Sequence, residues 1–352
     1  MQRILKTVAF GLLFVLLGIA VTIRAQASPE SAQGPETPQL YILSNSSPHI
    51  SVIDTATNDI VETMDMPDFT GWGWNDDNNY FDGENLWLGL RDPETDDAEV
   101  IALNLETLEV TARLPLGKEN LTLYIGKSAE DDILHVSKMG AGAVAVIDTV
   151  NFEVLDIWED VPVNGDVVCD ADVATGPDGT KRFFYPTRNG DTVVSLDAQS
   201  GEVITVIDSP EGATPLMLTT APDDTVWVQE VASNSNAVYD SDLNLVDRFL
   251  TGKAPIVASF SPDGQYGFIG HNDDTVITVI DVETLEEIEQ IEVGIHPQKL
   301  AIHPNGEYVY AILTEEASVA VIETETWTVT QRISLGTNPG GIYLWARTGD
   351  DA

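Results

Sequence analysis

The chain has 352 residues, and 58 acidic against 16 basic ones give it a formal net charge of −42. A field of that sign repels phosphate backbones and anionic headgroups, which excludes nucleic acid and anionic membrane surfaces as partners. The single cysteine, Cys169, excludes an internal disulfide, so stability must come from a packed core, which a chain of this length buries without help.

Residues 1–27 read as a signal peptide. Arg3 and Lys6 make a basic start, residues 8–23 are an apolar run too short for a comfortable membrane span, and Ala25-Gln26-Ala27 is a small-x-small cleavage site. An uncleaved anchor is the other reading, because Arg24 stands between the apolar run and the cleavage site. Export to a periplasmic, cell-surface or secreted location is expected, with no membrane insertion after cleavage. Removing Arg3, Lys6 and Arg24 leaves 13 basic against 58 acidic residues, a net of −45. Residues 28–39 are a Pro/Ser/Glu linker too polar to pack.

From residue 40 the chain repeats one unit. A short apolar, β-branched run enters an Asp-led turn and leaves as a mixed strand, a hairpin pattern. The turn residues are Asp54, Asn104, Asp148, Asp197, Asp240, Asp281 and Glu323, at steps of 50, 44, 49, 43, 41 and 42 residues. A step of this size holds four short strands, and seven such steps predict a seven-bladed, all-β propeller over residues 40–347, with residues 348–352 as a tail. Further marks precede the hairpins. Connectors of the form G-x-x-P end at Pro215, Pro255, Pro297 and Pro339. Tight turns come next as GPDG (176–179), APDD (221–224), SPDG (261–264) and HPNG (303–306), with a degenerate YFDG at 80–83. The chain starts on a second strand and ends on an unpartnered first strand at residues 341–346. Exchange between the two ends would therefore complete one four-stranded antiparallel blade and leave no open edge.

The order G-x-x-P, S-P-D-G, V-I-D-T-x-T resembles the YVTN-repeat family of seven-bladed β-propellers across residues 40–347. The second strands depart from the name-giving motif, as in LYILSN and VYAIL. The resemblance implies an exported scaffold with a binding face and no agreed chemistry.

Function in such a scaffold is expected on the loops around one channel mouth. No C-x-x-C-H, H-E-x-x-H or G-x-S-x-G is present, so no haem, zinc-protease or esterase signature exists. No catalytic residue and no cofactor is assigned. A divalent cation at the mouth is an alternative, drawing on Asp76, Asp166, Asp170 and Asp172. His49, His271 and His296 fall on the connector face, while His303 replaces Ser in a turn and is structural. Trp72 and Trp74 lie in a GWGW connector, where they either stack a flat ligand or cap a blade junction. Counting back from each hairpin Asp places Asn45, Lys138, Arg188, Glu230, His271 and Leu313 on one ring, with Leu90 or Arg91 from blade two. The cations among them suggest an anion-recognising mouth, or else simple pairing with nearby Asp. The leading functional expectation is a monomeric, non-enzymatic scaffold binding a small molecule or protein. The alternatives are a lactonase-like hydrolase or lyase and a surface-layer component.

Overall fold

The structure, a computed structural model, describes residues 38–44, 49–66, 73–74, 80–82, 84–92, 94–119, 121, 123–126, 132–163, 170–336 and 339–345. The chain divides into two compact units, Met1–Ala32 and Gln33–Ala352. The first unit, and with it the predicted signal peptide, lies outside the described residues.

The second unit holds seven antiparallel sheets. Blade one takes its inner strand from the far end of the chain: Pro339–Trp345 pairs with Gln39–Ser44, followed by His49–Asp54 and Asp59–Asp65. Gln39 faces Trp345 and Leu43 faces Gly341, which is the predicted closure. Blades three, four and five run from Leu123–Gly126 to Glu153–Trp158, from Asp172–Thr175 to Val203–Asp208 and from Pro215–Thr220 to Leu245–Leu250. Blade six is Pro255–Phe260, Tyr266–His271, Val276–Asp281 and Glu287–Glu292, and blade seven runs from Pro297–Ile302 to Thr328–Ser334. Blade two departs from the four-strand plan. Its inner position is divided between two dipeptides, Gly73–Trp74 and Tyr80–Phe81, which pair with opposite halves of Asn85–Arg91. The expected YFDG turn thus begins as a strand. Its Asp82 caps the start of Asn85–Arg91, accepting from the Asn85 backbone N–H at 2.7 Å and from Trp87 Nε1 at 2.7 Å.

The sequence pattern explains the layering. Second and third strands are sandwiched between neighbouring blades, so both faces are buried and they read as continuous apolar runs, as in Val319–Ile322. Outer strands cover one face only, and their remaining residues stay exposed, as in Val203–Asp208.

The hairpin turn does more than reverse the chain. Its Asp accepts backbone N–H bonds two and three residues on, as Asp148 does from Val150 at 2.9 Å and Asn151 at 2.7 Å. The turn then ends on a residue with left-handed φ in every blade: Asn58, Leu108, Phe152, Gly201, Leu243, Leu285 and Trp327. Large L-residues avoid that region, so tertiary contacts must compensate. They are visible at several junctions. Phe152 stacks on Trp87 of blade two with centroids 5.7 Å apart, and Trp327 meets Tyr266 of blade six edge-on at 5.2 Å. Gly201 reverses the roles, because a Cβ there would lie 2.5 Å from the Trp158 ring of blade three. The turn residue of one blade therefore wedges against the blade before it.

Candidate functional site

The connector face is built by a repeated device. Residues Thr214, Ala254 and His296, each immediately before a connector proline, have φ of 56°, 51° and 54°. The right-handed region is disfavoured before proline, and for β-branched Thr214 the left-handed one is an outlier. Just after each proline the ladder slips, between Pro215/Met217, Pro255/Val257 and Pro297/Lys299. The residue at each slip, Leu216, Ile256 or Gln298, is left out of the pairing. Loop carboxylates hold the connectors in place. Asp191 accepts the N–H groups of Gly212 at 2.7 Å and Thr214 at 2.9 Å, Asp274 that of Lys253 at 3.0 Å, and Glu316 that of Ile295 at 2.8 Å. Much of the acidity here is thus fixed to backbone donors.

Blades six and seven meet at the chemically richest of these junctions. His296 Nδ1 lies 3.3 Å from Glu315 Oε1, and both side chains are partly exposed. The backbone orients the imidazole: His296 N–H donates to the Asp274 carbonyl at 3.1 Å. Gln298 Nε2 donates to Asn272 Oδ1 at 2.5 Å, and Thr314 Oγ1 donates to Gln298 Oε1 at 3.4 Å. Two glycines permit the close approach. A Cβ on Gly270 would collide with the Pro297 carbonyl oxygen, and Gly294 has φ +121° with Glu316 Oε1 2.5 Å from where its Cβ would be. His271 is fully buried beside this junction. Its Nδ1 lies 2.9 Å from the Val276 carbonyl, which can only accept, so Nδ1 carries the proton. Nε2 has no hydrogen-bond partner among the described residues. Burial pushes this imidazole's pKa down, against the smaller upward pull of that hydrogen bond.

The predicted ring is placed differently from the count. The second strands end at Ser44, Arg91, Lys138, Thr187, Glu230, His271 and Leu313. Asn45 lies outside the described residues, and the blade-four member is Thr187, with Arg188 one residue beyond and exposed. Most of the ring is buried between strands. Lys138 Nζ donates to the Leu116 carbonyl at 2.8 Å. Glu230 is fully buried and takes both oxygens to Arg248, at 2.8 and 3.1 Å, plus Ser235 Oγ at 2.7 Å. Arg91 pairs with Asp96 at 3.0 Å and the Glu119 carbonyl at 3.1 Å. Of the cations on this ring, Arg91 thus pairs with a nearby Asp, and Lys138 with a backbone carbonyl.

The acidic mouth is likewise reassigned where it can be seen. Asp170 Oδ2 accepts from Leu218 N–H at 3.1 Å, and Asp172 Oδ2 from Thr220 N–H at 2.9 Å and Thr220 Oγ1 at 2.8 Å. Both aspartates staple the inner end of blade four to the inner strand of blade five. Trp72, Asp76 and Asp166 lie outside the described residues, and Trp74 is placed only by its backbone pairing with Leu90. Among the described residues no group of three or more His, Cys, Asp or Glu converges as metal ligands would, and no helix is long and apolar enough to cross a membrane. Glu315 was not singled out from the sequence. It stands 19 residues after His296 and is brought round by a 3-10 turn at Thr314–Glu316, which no repeat mark signals.

No protein-family model and no curated protein matches the chain. The resemblance to YVTN repeats therefore rests on the motifs alone. Solved structures do match. A candidate 6-phosphogluconolactonase from Bacteroides uniformis superposes with a TM-score of 0.69 at 14% identity, covering 88% of this chain and 100% of that one. The periplasmic gluconolactonase of Pseudomonas aeruginosa gives 0.68 at 15%, covering 88% and 99%. A functionally unknown protein from Desulfotomaculum acetoxidans gives 0.67 at 15%, covering 87% and 98%. Identities this low establish the shared propeller fold. Even so, the expectation of a non-enzymatic scaffold is corrected: two of these three structures of the same fold are named as lactonases.

Proposed function

We propose that the protein is an exported lactonase-type hydrolase whose site is the junction of blades six and seven on the connector face. The observation that carries this is the partly exposed His296–Glu315 pair. An imidazole whose Nδ1 faces a carboxylate presents Nε2 as a base, the arrangement that activates water. Nε2 takes a proton as water attacks the lactone carbonyl carbon. The ring C–O bond then breaks, and the imidazolium returns the proton to the departing ring oxygen, giving an open hydroxy acid. Glu315 stabilises the imidazolium in between, and Asn272, Gln298 and Thr314 offer polar groups to substrate hydroxyls.

The substrate class is argued from charge. Glu315 and Asp274 border the site, with Glu316 paired to Arg332 at 3.3 Å, in a chain of net charge −42. That field disfavours a phosphorylated lactone and favours a neutral, hydroxyl-rich one. Membership of the YVTN-repeat group, a signal peptide and a monomeric state belong to the same reading. The test is pH-stat hydrolysis of glucono-1,5-lactone and its 6-phosphate. Turnover above the spontaneous rate is expected for the neutral lactone. It should fall on the order of a hundredfold or more in His296→Ala and about tenfold in Glu315→Gln. No turnover, or full activity in His296→Ala, overturns the proposal.

A further inference from the structure

On the opposite face, blades six and seven enclose a cleft of about 500 Å³. Its floor is aromatic: Tyr266, Phe268 and Trp327, with the Trp327 and Tyr266 rings crossed at 82° and the Trp327 and Phe268 centroids 6.0 Å apart. Its rim carries three carboxylates, Asp263, Glu307 and Glu325, and no basic residue lines it. The rigidity of the floor comes from the wedge geometry. Trp327 is the left-handed turn residue of blade seven, held against blade six, while the equivalent positions in blades two, five and six carry leucine. The carboxylates are positioned as well. Asp263 accepts from Ser261 Oγ at 2.6 Å and from the Gln265 N–H at 3.1 Å, which hold its carboxyl below the usual range and therefore ionised. Glu307 accepts from Asn305 Nδ2 at 2.7 Å. None of these bonds involves a cationic partner.

We infer that this cleft binds a small organic cation, of the size of a quaternary ammonium group, over the Trp327 ring. A cation gains from the negative face of an aromatic ring, most from tryptophan, and gains further from nearby carboxylates. A neutral planar ligand would gain no charge attraction from the three acids, and an anion would be repelled by them. The site is independent of the lactonase proposal, being on the other face and made of other residues.

The probe is tetramethylammonium chloride, titrated into the full chain by calorimetry at constant ionic strength with NaCl making up the balance. Saturable binding is expected, between about three- and thirtyfold weaker in Trp327→Leu. That variant places in blade seven the residue three other blades use. Glu325→Gln, at an exposed rim position, should weaken binding about threefold. If the leucine chain does not fold, Trp327→Phe keeps an aromatic ring against Tyr266 and should still bind measurably less tightly than wild type. No saturation beyond that of Na⁺ overturns the inference. So does wild-type affinity in the folded Trp327 variant, since binding would then be a plain charge effect.

Discussion

Blade six and blade two solve the same problem with unequal means. Blade six has a G-x-x-P connector, a continuous six-residue inner strand and an SPDG turn. Blade two has none of these intact, and two dipeptides stand in for the inner strand. Both nevertheless bury the middle of the second strand, Leu86–Leu90 in one and Gly267–Gly270 in the other, and most of the third, Val100–Asn104 and Ile277–Ile280. The inner strand is thus the negotiable part of a blade, and the apolar hairpin between neighbours is the fixed part. Trp87 shows why. It is fully buried, stacked by Phe152 from blade three and hydrogen-bonded by Asp82 of its own blade, so contacts on both sides hold it.

The sharpest challenge to this comparison removes an inner strand altogether. Truncation after residue 336 deletes Pro339–Trp345 from blade one, whose second strand would become an open edge beside the channel. Aggregation, or melting lower by more than about 10 °C, is expected; unchanged thermal melting would show that even a whole inner strand is dispensable.

A smaller effect is expected where side chains replace backbone. Blade four has an inner strand of only four residues, and Asp170 and Asp172 tie it to blade five. Asp170→Ala should cost about 3 kcal/mol in urea unfolding, because the Leu218 N–H loses a charged acceptor in a buried setting. A shift of under about 0.5 kcal/mol would mean that short inner strands need no such staple.

The smallest effect concerns pH and the well-formed blade six. His271 is neutral in the fold with its pKa lowered by burial. Below its ordinary value near 6.5 the unfolded chain binds a proton that the folded chain refuses, so stability falls as pH falls through that window. His271→Leu, which installs the residue blade seven has at Leu313, should flatten the slope of unfolding free energy between about pH 6.5 and 5. A slope equal to wild type would place the titration elsewhere.

Sequence legibility divided along the same line. The seven hairpins, their order and the closure of blade one were readable, because an Asp-led turn flanked by buried apolar runs is a local signal repeated at a near-constant step. The site was not. Counting back from each turn missed the blade-four position by one residue, since Arg188 lies past the strand end that Thr187 occupies. Asp170 and Asp172 looked like free carboxylates because nothing local names their partners 48 residues away. His296 was noted, but its pairing with Glu315 depends on a left-handed connector and a 3-10 turn that carry no composition of their own.

The pairing of Gln39 with Trp345 also sets a timetable. A ribosome delivers blade one's outer three strands early, yet their fourth strand emerges last. Six blades can assemble progressively from near neighbours, whereas the seventh must wait for contact between almost the two ends of the propeller, a step of high sequence separation and therefore slow. Until then the first hairpin is an unfinished sheet that other chains can join. That late strand acts as a latch: the ring stays open until Pro339–Trp345 has been made and has reached Gln39–Ser44.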